Sequence, residues 1–135
     1  LRFPSSSRDL WEAAKPWLTS PVSKSLWITG DLPDDLRCAA GITALSRKSM
    51  LQQDAVPTFA ILRKAFTKLL ESGLIQGCPS PHGAHARIEA WRYDPLRLAG
   101  PDLTVDAFSL YLSLESDPDE RVQQELGHMM ENLPW

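Results

Sequence analysis

The sequence lacks the features that define membrane-spanning and disulfide-rich proteins. No apolar run approaches the roughly 20 residues that a membrane-spanning helix needs, and 135 residues contain only two cysteines, Cys38 and Cys78. A secreted disulfide scaffold normally carries more cysteines, and the Ser-rich stretch at residues 2–8 does not resemble a secretory signal. These absences predict a cytoplasmic protein without a membrane partner. Cys38, within a run of small residues, is expected to be a buried thiol.

Motifs for nucleotide binding and for nucleophilic catalysis are also absent. The chain contains neither a Gly-x-Gly-x-x-Gly pattern nor a Walker pattern, and it has no Gly-x-Ser-x-Gly elbow. No acid–base pair, and no nucleophile with an orienting partner, can be named from the residue spacing. The sequence therefore predicts a non-enzymatic protein with no catalytic residues and no cofactor.

One segment has the composition of a metal site. Cys78, His82 and His85 lie within eight residues, and a thiolate with two imidazoles could supply three zinc ligands. A fourth ligand would have to come from a distant part of the chain. The alternative is a solvated proline-rich loop whose histidines touch nothing, and we expect this alternative and no metal.

The overall composition is that of one globular domain covering residues 1–135. Hydrophobic residues make up 43% of the chain and charged residues 23%, close to the average for globular proteins. The net charge of -3 is unevenly distributed. Residues 1–100 hold 13 Lys and Arg against 9 Asp and Glu, whereas residues 101–135 hold 1 against 8. The two parts therefore face different partners, or face each other.

Hydrophobic periodicity and turn residues predict eight elements in the order helix, strand, helix, strand, helix, strand, helix, helix. The first seven are predicted at residues 7–18, 24–29, 36–50, 57–62, 63–72, 86–93 and 103–114. We expect an α+β or α/β fold, with a small sheet of three to four short strands packed by about five helices and a C-terminal helical pair.

The last helix has the clearest start signal in the chain. Asp117 is predicted to be its N-cap and Pro118 its first helical residue, with Glu120 at the capping-box position. Beyond this start, five apolar residues recur at helical spacing and predict one buried stripe: Val122, Leu126, Met129, Met130 and Leu133.

Basic residues concentrate around the predicted helix at residues 63–72. This helix is followed by Gly73, a proline-containing loop and a strand, an order that is also found in winged-helix proteins. Lysine and arginine side chains would then hold DNA phosphates. The candidate nucleic-acid-binding residues are Arg47, Lys48, Arg63, Lys64, Lys68 and Arg87.

Several phrases of the sequence resemble one protein family. They are Leu10-Trp11-Glu12-Ala13-Ala14, Trp17-Leu18, Ser20-Pro21-Val22, Ala40-Gly41-Ile42-Thr43-Ala44-Leu45-Ser46, Ser49-Met50-Leu51, Glu89-Ala90-Trp91-Arg92-Tyr93-Asp94-Pro95 and Asp106-Ala107-Phe108-Ser109-Leu110-Tyr111-Leu112-Ser113-Leu114. Together they resemble the C-terminal region of bacterial regulators described as MarR-like or AbiEi-like, the latter being antitoxins of type IV toxin–antitoxin pairs. The resemblance covers most of the chain.

The resemblance implies that this chain follows an N-terminal winged helix-turn-helix domain that it does not itself contain, which agrees with a first residue of Leu1 rather than Met. It also implies that the chain is a non-enzymatic regulatory or interaction domain of a bacterial transcriptional regulator. The more specific possibility that it implies is that this regulator is an antitoxin. Its partners would be DNA through the full-length regulator, a second copy or a cognate toxin. The alternative is a winged-helix-like DNA-binding module that uses helix 63–72 and the following wing.

Overall fold

The computed structural model describes residues 7–49, 51–52 and 55–135. Its elements are α1 (Ser7–Ala14), β1 (Val22–Gly30), β2 (Cys38–Ala39), α2 (Gly41–Arg47), β3 (Thr58–Leu62), α3 (Arg63–Ser72), β4 (Ile75–Cys78), β5 (Ala86–Trp91), α4 (Ala107–Leu114) and α5 (Glu120–Glu131). Short 3-10 turns follow α1 at Lys15–Trp17, precede β2 at Asp34–Leu36 and follow β5 at Pro95–Arg97. The fold is therefore mixed α+β. None of the described helices is long and apolar enough to cross a membrane.

Five strands form one mixed sheet in the order β2-β3-β5-β1-β4. Strand β3 runs parallel to β5, while the pairs β1–β4, β1–β5 and β2–β3 are antiparallel. The prediction of three to four strands was therefore too low by at least one. Strand β4 was not among the predicted strands, and β2 lies within the segment at residues 36–50 that was predicted to be helical.

The predicted helix at residues 36–50 is divided in the structure. A 3-10 turn and the two residues of β2 occupy its first part, α2 spans Gly41–Arg47, and the predicted end at Met50 lies outside the described residues. The backbone of Ala39 explains the difference, since its N–H donates to the Leu103 carbonyl at 2.7 Å and its carbonyl accepts from the Val105 N–H at 2.9 Å. The backbone groups of Ala39 are therefore bonded to Leu103 and Val105 and are not available for hydrogen bonds within a helix.

Two helices begin at residues other than those predicted. Helix α4 begins at Ala107 rather than Leu103, because the Asp106 side chain caps it by accepting from the Ser109 N–H at 2.9 Å. The N-cap of α5 is Asp119, whose Oδ1 accepts from the Arg121 N–H at 2.8 Å. The prediction of Asp117 as the cap was wrong by two residues, because its Oδ1 accepts instead from the Asp119 N–H.

Each face of the sheet carries its own apolar core. On one face, Phe66 of α3 packs with buried sheet residues that include Ile28, Ile61 and Ile88. On the other face, Trp91 packs with a larger cluster from four helices, which includes Trp11 of α1, Leu45 of α2, Leu110 of α4 and Leu126 of α5. The structure therefore has three layers, with α3 on one side of the sheet and the remaining helices on the other.

The apolar stripe of α5 is confirmed as a buried face. Val122, Leu126, Met129 and Met130 are buried, and Leu133 is half-buried against the same core. Glu131 is exposed, whereas Glu125 is half-buried. The last helix therefore belongs to the domain core.

Replacing Leu126 by Ala tests this packing. The side chain is 1% exposed, so the Leu126→Ala variant should lose about 2–5 kcal/mol of unfolding free energy, measured by urea denaturation. The control is Leu98→Ala at an exposed position, where a change within about 0.5 kcal/mol is expected. An equally small loss for Leu126→Ala would show that α5 does not pack on the core.

Candidate functional site

The six candidate nucleic-acid-binding residues lie in three separate places. Arg63, Lys64 and Lys68 are exposed on α3, on one side of the sheet. Arg47 and Lys48 lie at the C-terminal end of α2, which packs on the opposite side. Since α2 and α3 cover different faces of the sheet, these residues do not form one continuous basic surface.

Arg87, the sixth candidate, points from β5 to the face opposite α3. Its side chain alternates with Ile88, which lies in the core under α3. The guanidinium lies over the indole ring of Trp27, 5.4 Å from the ring centroid, and Nη2 donates to Ser25 Oγ at 2.9 Å. Arg87 is thus already engaged by two neighbours on β1.

Arg47 also has structural partners. Its Nη1 donates to the Asp102 carbonyl at 3.2 Å and to Thr104 Oγ1 at 3.1 Å. These bonds fasten the segment before α4 to the end of α2. These hydrogen bonds give Arg47 a structural role that does not involve nucleic acid.

The strands after α3 do not form a two-stranded wing. Strands β4 and β5 follow each other in the chain, but β1 lies between them in the sheet. The winged-helix interpretation predicted a β-hairpin at this position, so its wing is missing from the region where the sequence placed it.

The segment at residues 78–85 has local structural partners. The Sγ of Cys78 donates to the Ser80 carbonyl at 3.2 Å, and Nδ1 of His85 accepts from the Gly30 N–H at 2.9 Å. Within the described part of the chain, no group of three or more His, Cys, Asp or Glu side chains lies close enough to hold a metal ion. His85 therefore helps to hold the end of β1, and the prediction that both loop histidines touch nothing was wrong for this residue.

The other cysteine, Cys38, is fully buried, as predicted. Burial is the main reason why the pKa of its thiol is raised to about 11, with a further contribution from the Asp94 carboxylate. Because the thiolate is the reactive form, this cysteine is a poor nucleophile at neutral pH.

Sequence reasoning missed a cleft of about 530 Å³ on the side of the sheet opposite α3. It lies between the segment at residues 98–106, the first turn of α4 and the C-terminal residues 133–135. Leu98, Phe108 and Trp135 contribute apolar surface, while Asp102 and Asp106 contribute carboxylates. We call this feature the α4 cleft. Ser7 and Lys48 also line it, so its walls come from widely separated segments and hydrophobic periodicity gave no signal for it.

Aromatic contacts support one wall of the α4 cleft. Phe108 is 40% exposed, and its ring centroid lies 4.8 Å from that of Trp11 and 5.7 Å from that of Trp135. Trp135 is held in turn by its Nε1, which donates to the Met130 carbonyl at 2.9 Å. Packing and a hydrogen bond thus hold both rings in place.

Asp106 is the most unusual polar group in the α4 cleft. Its Oδ2 caps α4, but its Oδ1 is buried and has no hydrogen-bond partner among the described residues. Most buried polar atoms are hydrogen-bonded. This oxygen is closed off from solvent, so a ligand in the cleft would not contact it in this arrangement.

Glu89 is a second buried carboxylate, on β5, and it is 7% exposed. Its Oε1 accepts from the Trp91 Nε1 at 3.1 Å, and its Oε2 lies beside Gly41, 3.5 Å from where a Cβ would lie. Burial raises the pKa of this carboxyl, while the Trp91 hydrogen bond and the charge of Arg87 act to lower it. Because its contacts lie within the core at the start of α2, we assign Glu89 a role in packing.

The raised pKa of Glu89 predicts how stability depends on pH. A raised folded-state pKa means that ionising the carboxyl costs stability, and the cost appears as pH rises from the ordinary value of 4.5 through the raised value. The Glu89→Gln variant keeps an acceptor for Trp91 and cannot ionise, so at pH 7 it should be more stable than the parent. This gain should vanish once the pH falls below 4.5.

Thermal denaturation of both proteins across this pH range provides the measurement. Glu71→Gln, at an exposed position, is the matched control and should leave the stability nearly unchanged. Lower stability of Glu89→Gln at pH 7 would mean that the carboxylate interacts favourably with the start of α2, contrary to our account.

Comparison with known proteins identifies no relative. No protein-family model matches the chain, and neither a curated protein nor a solved structure does so. The resemblance to regulator C-terminal regions therefore depends on the sequence phrases alone, and function must be argued from the site.

Proposed function

We propose that this chain is the non-enzymatic regulatory domain of a bacterial transcriptional regulator and that it binds an effector in the α4 cleft. The observation that carries the proposal is the cleft itself, with its volume of about 530 Å³ and its mixture of apolar walls and carboxylates. Small-molecule sites in proteins have this character, being concave and mostly apolar with a few polar groups that fix orientation.

The position of the α4 cleft also suits a regulatory role. Its walls include the start of α4, the segment fastened by Arg47 to the end of α2, and the chain that follows α5. A ligand in the cleft would touch all three and would stabilise their present arrangement relative to others. Effector binding would in this way favour one arrangement of α2, α4 and the C-terminal residues on the side of the sheet opposite α3.

Contact with a protein partner is a further part of the proposal. Three large apolar side chains are exposed on α1 and the turn after it, with Trp17 86% exposed: Leu10, Trp17 and Leu18. Exposed apolar patches often mark interaction sites. A cognate toxin, in the antitoxin form of the proposal, and a second copy in a homodimer are the two partners that we propose for a cytoplasmic regulator.

One observation favours the alternative, in which the chain itself contacts DNA. Arg63, Lys64 and Lys68 are exposed on α3, and no ion pair involves them in the described part of the chain. Three phosphate contacts would give a slope of log affinity against log salt of about -3. This is typical of weak binding without sequence preference.

Titration with labelled DNA separates the two functions. We expect this domain to bind duplex DNA no tighter than about 10⁻⁴–10⁻⁶ M at physiological salt, the non-specific range. The DNA upstream of its own gene and a scrambled duplex should bind equally. Fluorescence anisotropy at several salt concentrations provides both the affinity and the slope.

Charge-reversal variants identify the residues that bind the duplex DNA. Changing Arg63, Lys64 and Lys68 together to Glu should weaken this binding no more than changing three other cations does. The matched triple variant changes Arg92, Arg97 and Arg121 to Glu, since these cations are also exposed and form no ion pair in the described part of the chain. Nanomolar binding to the upstream DNA that is lost only in the α3 variant would overturn the regulatory-domain proposal and establish the DNA-binding alternative.

A further inference from the structure

We infer that the outer edge of β4 is an interface at which two copies of this chain pair strand to strand, so that their five-stranded sheets become continuous. The inference rests on the proposed function only in taking a second copy as the partner, and it does not involve the α4 cleft. Three features of β4 support it: an unpaired edge, an absence of charge and a register that is complementary to itself.

The two edges of the sheet differ in how the chain covers them. Strand β2 lies at one edge, and the backbone of its Ala39 is bonded to Leu103 and Val105 and bridged to Thr104. Strand β4 lies at the other edge, where no strand or bridge of the described residues pairs with its outer side. An unpaired edge presents a row of N–H and C=O groups with which another strand can pair.

The outward-pointing backbone groups of β4 are those of Ile75 and Gly77. Backbone groups of successive strand residues point to opposite sides of the strand. The Arg87 N–H of β5 points toward β3, since it donates to the Pro57 carbonyl. Through the registers of β5 with β1 and of β1 with β4, this alternation makes Gln76 the residue bonded to β1. Its two neighbours therefore point away from the sheet.

The sequence of β4 contains none of the residues that protect an edge strand. Natural edge strands are commonly protected by charged side chains or by proline, and Ile75–Cys78 contains neither. Gln76 and Gly77 are exposed, and Leu74, just before the strand, is an apolar side chain that is 47% exposed. A second strand would therefore meet an uncharged edge with apolar surface beside it.

The edge is complementary to itself when two copies run antiparallel about a two-fold axis at Gln76. Ile75 then lies opposite Gly77 of the second copy, and each such pair exchanges both backbone hydrogen bonds. The two Gln76 side chains meet at the axis, and Leu74 lies opposite the half-buried Cys78 of the second copy. One patch serves both copies, so the contact closes as a symmetric dimer. This symmetry favours a second copy over a strand of a different protein.

Sedimentation equilibrium at several concentrations tests whether the dimer forms. Strand β4 has only four residues, so the contact is smaller than the roughly 1,200–2,000 Å² of stable interfaces. We therefore expect monomer at about 10 µM and a growing dimer fraction toward about 1 mM. The amide signals that shift with concentration should be those of β4 and Leu74.

Charge variants at the axis test the register. Gln76→Glu and Gln76→Lys each place like charges directly opposite one another, which destabilises strand pairing, and each should lower the association constant by about two- to fivefold. An equimolar mixture of the two variants should associate at least as well as the parent, because opposite charges then meet. Gln124→Glu, at an exposed position on α5, is the matched control and should change nothing.

A disulfide at the axis provides a second test of the register. Directly opposite residues of a non-hydrogen-bonded antiparallel pair have Cα atoms about 4.5 Å apart, within the range that a disulfide spans. In a Cys78→Ser background, Gln76→Cys should therefore give a covalent dimer on mild oxidation. Gln124→Cys in the same background should not. Two-dimensional spectra of all variants check that they remain folded.

Each contrary outcome is recognisable. A monomer at every concentration, or equal crosslinking of Gln76→Cys and Gln124→Cys, would overturn the inference and leave the effector cleft of the proposed function untouched. A dimer that is lost in Trp17→Ser, at an exposed position, but unchanged in both Gln76 charge variants would assign the homodimer to the surface of α1 and would also overturn the inference. Sequence-selective DNA binding through α3 would overturn the proposed function without altering the result at Gln76.

Discussion

The fold is built around the central strand β5, which needs a layer of helices on each face of the sheet. This strand lies between β3 and β1, and its residues from Ile88 to Trp91 are buried on both faces of the sheet. Ile88 and Ala90 face α3, whereas Glu89 and Trp91 face the layer that contains α2, α4 and α5. Neither layer can be removed without exposing one side of this strand, so both are needed for a stable core.

This arrangement separates the two surfaces on which functional hypotheses can be built. Strands β3 and β4 run in the same direction but lie on opposite sides of β5 and β1, so the chain that joins them crosses one face of the sheet, and α3 makes this crossing. The basic residues of α3 are thereby placed on one side. The α4 cleft, with its carboxylates and aromatic rings, is formed by the helices on the other side. This organisation would keep the proposed effector site apart from the basic residues of α3.

Local signals in the sequence predicted the elements whose structure is decided locally. Helix α3 ends where the sequence placed its end, since Gly73 adopts a left-handed conformation with φ of 78° that favours glycine. The apolar stripe of α5 was predicted because one helix face carries it. In contrast, β2 depends on hydrogen bonds between Ala39 and residues more than sixty positions away. The α4 cleft and the burial of Glu89 likewise depend on how separate segments pack, and no local pattern contains that information.

The claim that both layers form one unit around β5 is tested most directly by native-state hydrogen exchange. The most informative proton is the indole N–H of Trp91, which is fully buried and donates to Glu89. We predict that this proton and the β5 amides exchange only through global unfolding, with the same opening free energy as the Phe66 amide of α3. If the Trp91 indole exchanged through a smaller opening while the α3 amides stayed protected, the helical layer would separate from the sheet by itself. That result would contradict the account.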